Sequence, residues 1–297
     1  MTIYGAGYRK LTYEQTSMWT RLWPIAWGEY RVLFRKKLGV LMFLLCLGPS
    51  LFNLGVLMLF MGVIQIGAGA ETLDRMAEMN PRMSPSTIEF FFTPISEPPS
   101  FLVFLLLTAS VSCRAIAKDR ETRAMEIYWT RCIEPAGYFF AKWFGSFMLI
   151  GTVTVVAPLF VWIMGCVTAP DWGYLEHTIT FVPRVLLALT IFTALLTTIA
   201  VMFSAVAATA NLASILWLSL IAGSAAVGRA LSRFFPGEHG FKAINPWDAS
   251  KRVAEWVSGY PPAQPFSVGV AWFALFVIIG GLGVLASRRT RRLEAIG

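Results

Sequence analysis

Six long apolar runs constrain the fold of this chain more than any other feature. They cover about residues 38–66, 101–117, 143–167, 185–207, 212–227 and 268–286. A helix needs about 20 apolar residues to cross the hydrocarbon core of a bilayer, and a helix satisfies its own backbone hydrogen bonds there. Apolar residues make up 56% of the chain and charged residues only 14%, which excludes a soluble domain. The sequence predicts an all-α integral membrane protein with six transmembrane helices in a single domain, residues 1–297.

The densest charge lies between the second and third runs, in the loop of residues 114–142. Five of the six residues from Lys118 to Arg123 are charged, in nearly alternating sign. Alternating charges on a helix form a solvated, ion-paired face. Pro135 restarts the chain as a new helix, because proline is accepted at a first helical position and disfavours helix in the residue before it. We predict a short helix on the membrane surface that binds a partner; an ordinary charged loop is the alternative.

Several residues of this loop match a known pattern. Asp119-Arg120, Glu126, Tyr138 and Lys142 resemble the loop between spans two and three of type-2 ATP-binding-cassette (ABC) exporter permeases. The chain departs from that pattern at four positions, with Arg123 and Ala141 in place of Gly, Cys132 in place of Pro and Pro135 in place of Arg. The six-span topology extends the resemblance over essentially the whole chain. The loop is then expected to contain the coupling helix that docks on an ATPase subunit.

The resemblance implies a transmembrane subunit that an external motor moves. ATP and magnesium would be bound by the partner ATPase and no cofactor by this chain, which contains no Gly-x-x-x-x-Gly-Lys-Ser/Thr phosphate-binding loop. It also implies a dimer with a second permease copy or a paralogue, embedded in membrane lipid. The residues expected to contact the ATPase are Lys118, Asp119, Arg120, Glu121, Arg123 and Glu126.

An aromatic stripe marks the N-terminal segment, residues 1–37. The stripe consists of Trp19, Trp23, Trp27, Tyr30 and Phe34. Rings at helical spacing with basic residues around them suit an amphipathic helix that lies in the membrane interface. The resemblance makes this the N-terminal elbow helix, with the three tryptophans as interfacial anchors. A stripe that packs on protein is an equally weighted alternative.

The basic residues predict how the chain is oriented in the membrane. With both termini inside, 17 of the 25 Lys and Arg residues lie on the inner side and 8 on the outer side. Because cytoplasmic loops are enriched in Lys and Arg, we predict a multi-pass protein of the cytoplasmic (inner) membrane with both termini in the cytoplasm.

Five of the eight outer cations lie in the loop of residues 229–265. Asn245-Pro246 opens a predicted helix in this loop, and the helix ends by Gly259. The resemblance predicts short re-entrant or interfacial helices here, and a plain extracellular loop is the alternative. Three aromatic residues of the loop are expected to act as interface anchors. They are Trp247, Trp256 and Tyr260.

Sequence motifs for chemistry are missing. The two histidines, His177 and His239, fall outside the spans, and neither His-Glu-x-x-His nor Gly-x-Ser-x-Gly occurs, so no catalytic residue is predicted. The net charge of +8 sits beside the spans, and nucleic acid is therefore not an expected partner. The spans carry essentially no ionisable residue, which argues against ion-coupled transport.

Metal binding is also not predicted. The four cysteines never form Cys-x-x-Cys, as zinc sites often do. Met76, Met79 and Met83 recur at helical spacing in the first outer loop. Thioether clusters favour copper(I), but methionines at this spacing more often form the apolar face of a short helix, and we favour that interpretation.

Polar residues within the apolar runs are the candidates for a transport pathway. They are Asn53, Gln65, Thr193, Thr197 and Asn211. For each of them an interhelical hydrogen bond is the favoured alternative. The functional prediction is the transmembrane subunit of an ABC exporter. A membrane scaffold or sensor that binds a cytoplasmic partner without transport is the runner-up, and a secondary transporter is third.

Overall fold

The computed structural model describes residues 18–65, 84–85, 87–96, 98–124, 135–169, 172–235, 239–263 and 266–294. Throughout these ranges the chain is helical or turns between helices, and none of it forms a strand. The predicted all-α fold is confirmed.

The helices of the described ranges follow one another in the order of the chain. They are α1 (Met18–Phe34), α2 (Lys37–Gln65), α3 (Ile88–Ser96), α4 (Pro98–Ser110), α5 (Ala115–Glu121), α6 (Pro135–Gly151), α7 (Ala157–Thr168), α8 (Gly173–Thr178), α9 (Val182–Val206), α10 (Ala210–Phe234), α11 (Pro246–Ser258) and α12 (Val268–Glu294). Two 3₁₀ turns, Ser112–Arg114 and His239–Ile244, and a π-helical segment, Thr152–Val156, connect some of them.

Six spans are long and apolar enough to cross a membrane, as predicted. They are Lys37–Gly62, Phe101–Glu121, Ala136–Thr168, Val182–Val206, Ala210–Phe234 and Val268–Ala286. The second span joins α4 to α5 through a 3₁₀ turn, and the third joins α6 to α7 through the π-helical segment. Pro158 lies two residues beyond that segment; it has no N–H to donate, and π-helical turns of this kind accommodate such a gap in the ladder.

The charged block starts closer to the second span than the sequence indicated. Lys118 to Glu121 form the end of α5. This helix belongs to the second span, in which only the 3₁₀ turn interrupts the α-helical conformation. Residues 125–134, with Glu126, lie outside the described residues.

Helix α9 is the centre of the bundle. It packs against α5, α6, α10, α11 and α12, and its buried side chains include Leu189, Phe192 and Leu196. Two threonines on it are also buried, because each hydroxyl donates to a backbone carbonyl four residues earlier, Thr193 to Leu189 and Thr197 to Thr193. By contrast, only 17% of the α12 span is buried, which leaves that helix at the periphery.

Helix α11 confirms the helix predicted within residues 229–265. Asn245 caps its N-terminus by accepting the Trp247 N–H at 3.1 Å, and Pro246 occupies the first helical position. Gly259 ends the helix with φ of +77°, a conformation that glycine adopts without steric cost.

The predicted interface role of Trp247 is wrong. Its ring is 5% exposed and packs edge-on against Phe101, Phe104 and Phe192, with centroids 4.5–5.5 Å apart. The reason is that α11 turns its apolar face inward onto α9 and α12, so this helix is part of the core. Trp256, on the opposite face, is 60% exposed.

Helix α1 lies against α6 along one face. The two backbones approach so closely that a Cβ atom added to Gly145 would lie 2.5 Å from the Ala26 carbonyl oxygen. Two tryptophans of the aromatic stripe face away from this contact: Trp23 and Trp27 are 54% and 46% exposed and stack with centroids 6.2 Å apart. Tyr30 extends the stack at 5.0 Å from Trp27.

Candidate functional site: a charged junction of helix ends

The residues from Arg114 to Arg123, together with the helix ends that they contact, form a junction at one end of the bundle. The ends of α1, α5, α6, α9 and α12 meet there in a small apolar cluster. The cluster contains Leu22, Ile25, Ile116, Tyr138, Ala141, Val201 and Ala205, with Ala286 packed against it. Because α1 and the end of the sixth span meet here, the basic segments near both termini lie at the same end as the charged block.

Two neighbouring residues of α5 hold the turn between α9 and α10. The Arg120 guanidinium donates to the Ala207 carbonyl at 2.6 Å and to the Ala205 carbonyl at 2.8 Å, at the C-terminus of α9. The Glu121 carboxylate accepts the Ala210 N–H at 2.8 Å, at the N-terminus of α10. A cation at a helix C-terminus and an anion at a helix N-terminus each interact favourably with the helix dipole. The dipeptide therefore joins the fourth and fifth spans to the second.

Helix α9 in turn caps α5. The Ser204 hydroxyl accepts the N–H groups of Ile116 and Ala117, each at 2.9 Å. These N–H groups belong to the first turn of a helix and have no partner within it. Ser204 is fully buried. If α5 moved away from α9, the two N–H groups would lose their acceptor in a place that water cannot reach.

An ion cluster ties α5 to α6 and α1. The Lys142 ammonium lies 2.8 Å from Glu29 Oε1 and 2.8 Å from Asp119 Oδ2, and the three side chains are only 7%, 8% and 16% exposed. Tyr138 donates its hydroxyl hydrogen to the same Asp119 oxygen at 2.8 Å. Lys142 is buried because α1 brings the Glu29 carboxylate over it.

Arg123 adopts a backbone conformation that favours glycine. It follows the C-cap of α5 with φ of +55°, the one non-glycine residue with positive φ among those that the structure describes. Its N–H donates to the Arg120 carbonyl at 3.2 Å. Helices often end on such a left-handed residue, usually glycine, and Arg123 is the position at which the resembled pattern has Gly.

The structure brings together four of the six residues predicted to contact an ATPase. Asp119, Arg120 and Glu121 make the internal bonds described above, and half-buried Lys118 lies beside them. Arg123 is exposed on the surface of the junction, and Glu126 lies outside the described residues. Contact of these residues with a partner stays a prediction.

The residues predicted to line a pathway are dispersed. Asn53 donates to the Phe90 carbonyl at 2.7 Å, and the Thr193 and Thr154 hydroxyls lie 2.6 Å apart, so both are bonded inside the bundle. Asn211 is exposed, next to the junction. The side chains of Gln65 and Trp19 lie outside the described residues, as do the three methionines of the first outer loop.

Two residues of the junction escaped the sequence analysis. Glu29 lies on the face of α1 opposite the aromatic stripe, with Leu22, Ile25 and Leu33, all buried. A single acid on an otherwise apolar helix face is the signal that could have identified it, since a buried carboxylate requires a partner. Ser204 gave no comparable signal, because small residues are common where transmembrane helices approach closely.

The junction has no arrangement for acid–base or metal chemistry. Glu29, Asp119, Arg120, Glu121 and Lys142 are bonded to one another or to helix ends, and among the described residues no group of three or more His, Cys, Asp or Glu could hold a metal ion. What the arrangement provides is mechanical: a short charged helix is fastened to four neighbouring helices and has an exposed end.

Six helical spans that are long and apolar enough to cross a bilayer define the class of polytopic membrane proteins. The chain belongs to the ABC-2 family transporter proteins, whose family model matches residues 23–277. It is a permease subunit of an ABC transporter and works with an ABC ATPase subunit. The comparison with curated proteins gave no match.

Proposed function

We propose that this chain is the transmembrane subunit of an ABC exporter, driven by ATP that a separate subunit hydrolyses with its own magnesium. The family supports the class of transporter, and the missing phosphate-binding loop supports a separate site of hydrolysis.

The observation that carries the proposal is the way α5 is fastened. Arg120, Glu121 and Ser204 bond it to the end of α9 and the start of α10, and Asp119 bonds it to α6. A force applied to the exposed end of this helix is therefore passed to the second, third, fourth and fifth spans together. This is what a subunit without its own energy source requires.

We further propose that the junction faces the cytoplasm of an inner-membrane protein and that transport is outward. The distribution of 17 basic residues on the junction side against 8 on the other supports this orientation.

The proposed complex is a dimer of permeases. The α10 surface opposite the core exposes small and apolar side chains at helical spacing, including Ile215, Ser219, Gly223 and Val227. Small residues of this kind let transmembrane helices approach closely, so this surface suits a second copy or a paralogue. The exposed tryptophans of α1 suit contact with lipid at the membrane interface.

Arg123→Glu tests the ATPase contact. Its side chain is exposed, so reversal leaves the internal bonds intact, whereas reversal at Asp119 would place a second cation against Lys142. Charge reversal at a docking surface is expected to weaken stimulation of ATP hydrolysis at least about tenfold in the reconstituted complex. Arg233→Glu, exposed at the far end of α10, is the matched control and should leave stimulation unchanged.

A second variant separates docking from transmission. Arg120→Gln loses the charge at the end of α9 and should leave the ATPase bound while uncoupling its activity from the spans. If both Arg variants behave like the control, the junction is not the ATPase contact. A pure complex whose ATPase activity is unaffected by the permease would favour the scaffold alternative.

A further inference from the structure

A small cavity opens between α1, α2 and the junction, beside the ion cluster. Its volume is about 170 Å³. Pockets that enclose drug-sized molecules measure about 300–1,000 Å³, so this cavity accommodates a small polar group and not a whole organic ligand. Its apolar lining includes Val32 and Leu38, which are 40% and 66% exposed at the molecular surface. The cavity thus combines charged side chains in its lining with apolar side chains that are exposed at the surface.

Positive charge is in excess inside the cavity. Four cations and two carboxylates line it: Lys36, Arg114, Lys118, Lys142, Glu29 and Asp119. Lys142 already binds both carboxylates, so the lining holds no further carboxylate for the other three cations. The pKa of Lys36 is lowered, first by the positive charge of Lys118, then by desolvation and by the charge of Arg114.

Arg114 adds a second, independent sign of an absent ligand. Within the part of the chain that the structure describes, its Nε atom is buried and has no hydrogen-bond partner. A buried donor without an acceptor is unfavourable, and more so when it is charged. An acceptor placed in the cavity would remove that cost and offset the repulsion among the cations.

We propose that this cavity binds the phosphate group of an anionic membrane lipid, with its acyl chains lying over the exposed apolar residues of α1 and α2. Phosphate oxygens accept several charge-assisted hydrogen bonds, and the planar guanidinium of Arg114 suits them. Basic pockets between transmembrane helices bind acidic lipid headgroups. The cavity adjoins the first residue of the first span, Lys37, which places it at headgroup level. A lipid so bound would brace α1 against the junction.

The test compares two variants that remove the same charge at the same end of the chain. Lys36→Gln with Lys118→Gln removes two cations that line the cavity; Arg35→Gln with Lys37→Gln removes two exposed cations that do not. Purified protein in a neutral detergent is mixed with phosphatidylglycerol, and native mass spectrometry reports the fraction that carries one lipid. Lys36→Gln alone serves as a milder variant, because this side chain is exposed.

We expect wild type and the Arg35/Lys37 control to bind phosphatidylglycerol alike, and phosphatidylcholine weakly. Each cavity cation removed should weaken binding about fivefold, so the double variant should bind about 25-fold more weakly. Equal losses in the two double variants, or equal binding of both lipids, would overturn the proposal. Inorganic phosphate forms the remaining arm: if it displaces the lipid at millimolar concentration, the ligand is a soluble anion and the lipid assignment is wrong.

Discussion

Replacing Lys142 by Met removes the cation that binds two buried carboxylates, those of Glu29 and Asp119. The three side chains are 7–16% exposed, so water cannot replace the lost partner. Breaking a buried ion pair from one side costs about 3–5 kcal/mol, because a charge is left uncompensated. We expect Lys142→Met to lower the free energy of unfolding by that amount. Glu29→Gln, which leaves Lys142 paired with Asp119, should cost only about 1.5–3 kcal/mol.

The double variant decides whether the three groups act as one unit. With Lys142→Met and Glu29→Gln combined, one buried carboxylate remains, and Tyr138 still donates to it. Adding Glu29→Gln to Lys142→Met should then lower the free energy of unfolding by less than Glu29→Gln does in the wild type. We expect a coupling energy of about 2 kcal/mol, within the range measured for residues that share a network. Stability would be measured by titrating micellar protein with SDS and following helix content.

The exposed neighbour Lys37 is the control for the cycle. Lys37→Met should change stability by less than about 0.5 kcal/mol. If the costs of Lys142→Met and Glu29→Gln simply add, the carboxylates do not repel each other when the lysine is gone, and the reasoning from burial is refuted.

Three further predictions concern backbone, packing and pH. Arg123→Gly should be about 1 kcal/mol more stable to denaturant than Arg123→Ala, because both lose the charge but only glycine adopts φ of +55° without strain. Gly145→Ala should lower the free energy of unfolding by about 1–3 kcal/mol, since its Cβ would meet the backbone of α1, and a lower melting temperature would report it. Burial raises the pKa of Glu255 above its usual 4.5, so wild type should lose stability as pH rises from 4.5 through that pKa, and melting curves of Glu255→Gln should lack this loss.

Hydropathy was sufficient for the six spans, because a bilayer requires long apolar helices whatever their neighbours are. Local signals were also sufficient for α11, where Asn245, Pro246 and Gly259 each favour a particular helix position. Neither kind of signal describes what a helix packs against. The buried position of Trp247 depends on three rings from α4 and α9, and aromatic residues near spans more often serve as interface anchors.

The sequence predicted where the charged residues of the junction lie, but it did not predict their hydrogen-bond partners. The charge between Lys118 and Arg123 predicted a position next to the bilayer, and the structure places these residues at one end of the helical bundle. The partners of Arg120 and Glu121, however, lie 85–89 residues further along the chain. They are backbone groups, so no side-chain pattern reports them. Only the rule that helix ends need partners points to such bonds, and it does not say which residue supplies them.

Helix α9 runs from Phe181 at its start, which contacts Phe91, to the carbonyls at its end that accept hydrogen bonds from Arg120. Its 25 residues form a rod of about 38 Å, so a tilt of about 5° at one end displaces the other by about 3 Å. That rod contains no proline after its first turn, so nothing along it absorbs bending. A small tilt of this helix therefore gives a large displacement at its far end, so stiffness, and not flexibility, is the property to preserve when the protein is engineered.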